Sequence, residues 1–295
     1  MVGASLAAGM LLAGSVNAPA SKDAGYRLVL VKGLAAEAMP AESEQAPGTL
    51  LPDQSTAKAK DLIQRAIQAL GGQAYLSVKD ITRSGRFAQF GHTGDLTGYV
   101  QFYDYVKLPD KNRTEYFEKR NIISVYNGEQ GWELDRGGVV EASTESLKRF
   151  QEGLKKDVDT LFRSRLNEEG ITFRYGSTDI LDLKQVEWVE VVDRERRTMR
   201  IALEVSTHLP IRAVYLTRDP ATRQRVEEIE FFSNYHPVQG VQTPFQISRE
   251  RNGLKVFQVF FKDCQYNTNL PDSFFTRESL DQRWAQLNKG KKKKS

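Results

Sequence analysis

The chain has 295 residues, of which 10% are aromatic and 27% charged, with a formal net charge of +4. Five lysines (Lys289, Lys291, Lys292, Lys293 and Lys294) stand in the last eight residues, and removing them leaves a body of charge −1. The basicity is a tail and not a face, which argues against nucleic-acid binding. The single cysteine, Cys264, excludes an intrachain disulfide and a cysteine-rich zinc site.

The N-terminus is apolar from Val2 to Val16 and then offers the small-x-small patterns Val16-Asn17-Ala18 and Ala18-Pro19-Ala20. That pattern predicts a signal peptide over residues 1–20 and export to the periplasm, although no Lys or Arg precedes Lys22. Lipidation is not expected, because no cysteine stands near Gly14-Ser15. Residues 21–55, rich in Ala, Pro, Ser and Glu, read as a linker interrupted by the apolar run Arg27–Gly33. The folded domain is expected over 56–285, and a disordered basic tail over 286–295 that is either solvated or a weak anchor to anionic surfaces.

Leu62, Ile63, Ala66, Ile67 and Leu70 recur at helical spacing, which predicts an amphipathic helix capped by Thr56 and ended by Gly71. Strand patterns follow as far as Gly138, with a hairpin signal at Asn127-Gly128. One helix then interrupts them. Its stripe is Leu147, Phe150, Leu154, Val158, Leu161, Phe162 and Leu166, with Ser143 as cap. Strands resume from Thr172 to Asn267, and a short helix closes the domain. The fold class is α+β, mostly β: an open, curved antiparallel half-barrel of about ten strands, with helices covering the concave face.

Motifs for chemistry are missing. His92, His208 and His236 read as loop residues without metal-ligand spacing, so no metal is expected. No nucleophile elbow or phosphate-cradling glycine loop is present, and no cofactor is expected. Cys264 reads as a half-buried small apolar residue. Acidic residues mostly alternate with apolar ones along strands, as in Val186–Asp193, which is the pattern of a solvated strand face. A carboxylate pair assembled from separate strands remains the route to a hydrolase.

The aromatic load is the remaining signal. Two helices do not fill a strongly curved sheet, so the surplus is expected to line an apolar cavity. The candidates are Phe87, Phe102, Trp132, Phe150, Leu154, Phe162, Trp188, Phe231, Tyr235, Phe245 and Phe257. On this reading Phe231 and Tyr235 face the cavity, His236–Pro244 connects two strands at the rim, and Pro244 opens the second strand.

The segment from Val100 to Asp135 resembles periplasmic lipoprotein carriers of the LolA/LolB-like family. The resemblance rests on Val106-Lys107-Leu108-Pro109, the strand Arg113–Phe117, the hairpin at Asn127-Gly128 and Trp132. Phe231–Ile247 and Asn267–Phe275 are similar to outer-membrane lipoprotein-sorting proteins. The resemblance covers residues 57–285. It implies an open half-barrel with a helical lid, holding lipid or lipoprotein acyl chains during outer-membrane biogenesis, in the manner of a chaperone. The implied partners are those acyl chains and a membrane-associated donor or acceptor protein. The family's latch arginine, in its Lys-Arg-Pro turn, is replaced here by Leu108, so that latch does not carry over. A sensing or protein-interaction module on the same scaffold is the alternative.

Overall fold

The first helix starts where the chain can spare an N–H. Pro52 stands at the first position of α1 (Pro52–Leu70), and Leu51 caps it. Thr56 therefore lies inside the helix, not at its cap. Its hydroxyl donates to the Phe173 carbonyl at 3.1 Å. Gly71 ends α1 at φ 128°, and a Cβ there would stand 2.4 Å from the Gly240 carbonyl oxygen. The short α2 (Gln73–Leu76) follows. The structure is a computed structural model, and it describes residues 51–218 and 223–292. The expected signal peptide, the linker as far as residue 50 and residues 293–295 lie outside the described residues.

The strands form one open antiparallel sheet of thirteen, in the order β6-β5-β4-β3-β2-β1-β13-β12-β11-β10-β9-β8-β7. Neighbours in space are neighbours in sequence, except where β1 (Asp80–Phe90) pairs with β13 (Leu254–Tyr266). The other strands are β2 (Leu96–Lys107), β3 (Lys111–Tyr116), β4 (Ile122–Asn127), β5 (Gln130–Asp135) and β6 (Gly138–Glu141) on one side. On the other are β7 (Thr172–Leu181), β8 (Lys184–Val192), β9 (Thr198–Glu204), β10 (Pro210–Arg218), β11 (Arg225–Val238) and β12 (Val241–Arg251). The expected ten strands are thirteen for local reasons. The four-residue β6 is too short to show alternation. The run 172–192 also hides a turn: Asp182 and Leu183 take φ 50° and 64° without a glycine. The chain reverses there between β7 and β8.

The rim connection likewise shrinks to Gln239-Gly240 (φ 48° and 83°). His236, Pro237 and Pro244 all lie within strands, with Pro244 opposite Tyr235.

The expected long helix also breaks. The helix α3 (Thr144–Lys156) is capped by Ser143, whose hydroxyl accepts from the Ser146 N–H at 3.1 Å. Asp157 is extended (ψ 124°), and its side chain caps the single turn α4 (Val158–Thr160). A π-type turn over Leu161–Arg165 follows, leading to β7. After a 3₁₀ turn at Asp272–Phe275, α5 (Arg277–Lys292) runs into the stretch expected as a tail.

The sheet buries both faces. The inner face joins α1, through Ala59, Leu62, Ile63, Ala66, Ile67 and Leu70, to inward side chains of β1, β2 and β8–β13, with Val158, Leu161 and Phe162 completing the cluster. The outer face of β4 and β5 carries Ile123, Val125 and Leu134 beneath Phe275 and Leu280. Fully burying side chains of this size contributes about 1.5–3 kcal/mol each. Both sheet edges are attended. Ser55 at the start of α1 accepts from the Tyr175 N–H of β7 at 3.0 Å, and Trp284 of α5 lies against Gly138 of β6.

Candidate ligand-binding site

Four of the eleven candidates come together on the inner face. Phe87, Phe102, Phe162 and Phe257 are buried in the main cluster. Phe87 lies 6.2 Å from Phe102, 6.2 Å from Phe257 and 6.1 Å from Tyr116 between ring centroids. Tyr235 and Phe245 are half-buried at the margin of that cluster. The Tyr235 hydroxyl donates to the Pro210 carbonyl at 2.6 Å.

The other five stand apart, and strand alternation explains three of them. Trp132 is on the outer face, against Ile123, Val125 and Leu134. Trp188 is on the outer face with Val186, Ala202 and Val214. Its indole N–H donates to Asp179 at 3.3 Å, and the Arg200 guanidinium covers its ring. On β11 the inward residue is Phe232, not Phe231, which lies half-buried under Arg212. The expectation that Phe231 faces a cavity is thus corrected by one residue of register. Asn234, at φ 56°, interrupts the alternation, so that both Phe232 and Tyr235 reach the main cluster.

Phe150 and Leu154 of α3 form a separate contact. Phe150 stacks on Tyr126 at 4.6 Å and 12°. Leu147, Leu154 and Ala142 pack around that pair. Of the thirteen residues of α3, only Ser146 and Phe150 are buried. The helix is otherwise tied down by ion pairs: Glu152 to Arg197 at 3.3 Å, Lys155 to Glu195 at 3.4 Å and Lys156 to Glu228 at 3.1 Å. Such partly exposed pairs contribute little each. Where α3 meets α4, Leu161, Ile171, Val191, Met199 and Tyr215 line a cavity of about 20 Å³ together with Lys156, Arg165 and Arg197. That is room for about one water molecule.

A polar band crosses the inner face between these apolar groups. Register places Glu133 of β5 opposite Ser124, Ser124 opposite Thr114, Thr114 opposite Asp104, and Asp104 opposite Arg83. Asp104 is fully buried. It accepts from Arg83 Nε at 2.8 Å and Arg83 Nη2 at 2.7 Å, and from Asn112 Nδ2 and Thr114 Oγ1 at 2.8 Å each. An ion pair so placed costs desolvation that an apolar pair of equal volume would avoid.

At the other end of the band, Glu133 faces Tyr126, Ser146 and Arg149. Burial raises its carboxyl above the usual range, against the pull of Arg149. Burial first, and the Glu133 charge second, push the Tyr126 hydroxyl up to about 12.

A second buried group holds α4 down. Asp159 accepts from the Tyr75 hydroxyl at 2.6 Å and from Arg163 Nε at 2.8 Å. The Arg163 guanidinium lies 3.8 Å over the Tyr75 ring, and its charge holds the Asp159 carboxyl low against the effect of burial. Asp157, by contrast, is raised to about 7, by burial first and by the neighbouring Asp159 charge second. It accepts from the Thr160 N–H and hydroxyl at 2.8 Å each. Glu230, paired with Arg249 at 3.0 Å, adds to the acidic surroundings.

These two polar groups escaped the sequence reading. Cross-strand register assembles the first, and no spacing along the chain displays it. Asp159 falls off the apolar stripe of the expected unbroken helix, and nothing in the spacing marks Asp157 as its break. Of the histidines, His92 and His208 stand in turns and His236 lies exposed on β11. Cys264 is half-buried on β13, and burial raises its thiol.

No family model matches the sequence, and no curated protein matches it. Solved structures do match in fold. A DUF1329 family protein from Desulfovibrio piger superposes with a TM-score of 0.56 at 15% identity, covering 77% of this chain and 99% of that one. A domain described as an outer membrane lipoprotein-sorting protein, from Vibrio parahaemolyticus, gives 0.52 at 10% identity, with 77% and 99% covered. A LolA superfamily protein from Nitrosomonas europaea gives 0.49 at 15% identity, with 75% and 99% covered. The thirteen-stranded open sheet with its inner helices is a LolA-like fold.

Proposed function

We propose that the protein is a non-enzymatic periplasmic carrier that shields the acyl chains of a lipid or lipoprotein on their way to the outer membrane. The observation that carries this reading is the seating of α3. The helix is amphipathic, yet it buries only Ser146 and Phe150, and it is held by the Phe150–Tyr126 stack, the half-buried Leu147 and Leu154 beside it and three partly exposed ion pairs. Beneath it lies Tyr126, and the inner face also carries Tyr116 packed on Phe87 and Phe87 on Phe257. Lifting α3 would open that surface at small cost, whereas α1 is locked by its six inward residues. An acyl chain gains about 0.8 kcal/mol per CH₂ removed from water, so a chain of about a dozen CH₂ groups offsets the loss of the aromatic stack, the leucine contacts and the partly exposed ion pairs that hold α3. The outer membrane lipoprotein-sorting domain, alike in fold, favours the same class of cargo.

The test is native mass spectrometry of delipidated protein mixed with a monoacyl lipid. A one-to-one complex in the parent, lost in Phe257→Asp with the fold intact by circular dichroism, supports the carrier. An apo mass at every lipid concentration refutes it and favours a module that binds protein partners.

A further inference from the structure

The antiparallel order puts the β1–β2, β3–β4, β5–β6 and β12–β13 turns at one end of the sheet. α5 runs along the outer face towards that end. Just before it starts, the Phe275 carbonyl accepts from Asn127 Nδ2 at the opposite end, at 3.3 Å. Two turns further on, Arg283 Nη2 donates to the Lys119 carbonyl of the β3–β4 turn at 2.9 Å, and Trp284 lies against Gly138 beside the β5–β6 turn. Leu287 still packs on the outer cluster. The helix then continues to Lys292, about 7.5 Å beyond Leu287 at 1.5 Å per residue. From Arg283 onwards the chain has Arg283, Lys289 and Lys291–Lys294 and no acidic residue, so the rest of the chain carries a net −2. Lys289 is exposed.

The same end of the sheet exposes apolar side chains. Leu96 and Tyr99 of β2 are 50% and 57% exposed, and Leu254 and Val256 of β13 are 46% and 42% exposed. They adjoin one another across β1. Leu96 stands opposite Phe90 and Tyr99 opposite Ala88. A Cβ on Gly94, in the β1–β2 turn, would lie 3.7 Å from Leu254 Cδ2. Clustered apolar exposure of this kind marks an interaction surface, where single exposed residues would not.

We propose that this end of the sheet docks on an anionic bilayer surface, with the α5 lysines supplying the attraction and the β1–β2 and β12–β13 turns the apolar contact. The inference goes beyond the carrier reading and does not depend on it.

Charge and shape choose the occupant. The run is lysine, a hydrated point charge suited to a field of lipid phosphates, and its one arginine is committed to the Lys119 and Arg120 carbonyls. Leucine and valine side chains gain nothing from a nucleic acid but enter the acyl boundary of a bilayer, and tyrosine rests at the level of its head groups. The apolar turns stand two to four strands from β4 under α5, about 10–20 Å away, and a plane meets both sets at once.

The experiment is sedimentation with vesicles of phosphatidylcholine, with and without phosphatidylglycerol. The parent should bind the anionic vesicles at least tenfold more tightly, and the preference should vanish at high salt, where the Debye length falls from about 8 Å at 0.15 M to about 3 Å at 1 M. Replacing Lys289, Lys291, Lys292, Lys293 and Lys294 together by Gln should weaken that binding about a hundredfold or more. Leu96→Ser/Leu254→Ser should weaken it about tenfold. Tm should be unchanged in both variants. Equal binding to the two kinds of vesicle, or undiminished binding by either variant, overturns the docking face. Retention on heparin without vesicle binding overturns it in favour of a soluble polyanion. Uptake of a soluble monoacyl lipid, read by native mass spectrometry, should be the same in the parent and both variants, so docking and carriage can fail separately.

Discussion

Replacing Asp157 by asparagine should stabilise the protein at alkaline pH and leave it unchanged in acid. The native carboxyl lies near 7, against 3.8 when unperturbed. Between those values the native chain holds a proton that the unfolded chain has released, so stability falls as pH rises from about 4 to about 7 and is level beyond. Each pKa unit corresponds to 1.36 kcal/mol, and a shift of about three units gives a ceiling of about 4 kcal/mol. Burial among Asp159, Glu230 and the Tyr215 ring is the source of the penalty. Asparagine keeps the cap, because its side-chain oxygen can still accept from the Thr160 N–H and hydroxyl. Asp159 does not confound the comparison: its carboxyl is lowered, so its contribution is lost only in stronger acid. Urea unfolding at pH 5.0 and 8.5 should show a variant more stable by about 2–4 kcal/mol at the higher pH, with at most half of that difference at pH 5.0. An equal difference at both pH values would refute the assignment of a buried, proton-holding Asp157.

Three further outcomes follow from packing. Arg83→Met should cost about 3–5 kcal/mol in chemical denaturation by leaving Asp104 buried without its cation, and the double variant Arg83→Met/Asp104→Leu should regain most of it. Gly85→Ala should lower stability by about 1–3 kcal/mol, because its Cβ would fall 2.2 Å from the Phe260 carbonyl oxygen at the β1–β13 bulge; an unchanged Tm would show that the strands can shift freely. Leu280→Ala should cost about 2–5 kcal/mol under α5 while leaving acyl-lipid uptake unaltered, since that cluster lies on the outer face; lost uptake in a folded variant would tie α5 to the site.

Much of this architecture is written in local pattern. The spacing of Leu62, Ile63, Ala66, Ile67 and Leu70 gave a helix with the correct buried face, and Gly71 its end, because both are properties of a single turn of chain. The Asn127-Gly128 signal located its hairpin, with Gly128 at φ 61°. The meander and the open antiparallel sheet followed from runs of alternation separated by turns, while the LolA-like class came from the resemblance of particular segments, Val106–Pro109 and the Asn127-Gly128 hairpin among them. What failed locally failed for lack of a signal: Asp182 and Leu183 reverse the chain without glycine, and Asp157 breaks a helix whose stripe continues unbroken through it.

The site divides along the same line. Aromatic richness is a property of composition, and it pointed to the inner face through Phe87, Phe102, Phe162 and Phe257. Alternation has a period of two, so an error of one residue moves a side chain through the sheet; Phe231 and Phe232 exchange places on that account alone. The sequence by itself determined which segments pair and which are apolar. Only the tertiary structure decided that Arg83, Asp104, Thr114, Ser124 and Glu133 form one band. Those five residues span fifty positions of chain and five strands, and nothing but the register of four successive strand pairings brings them into line.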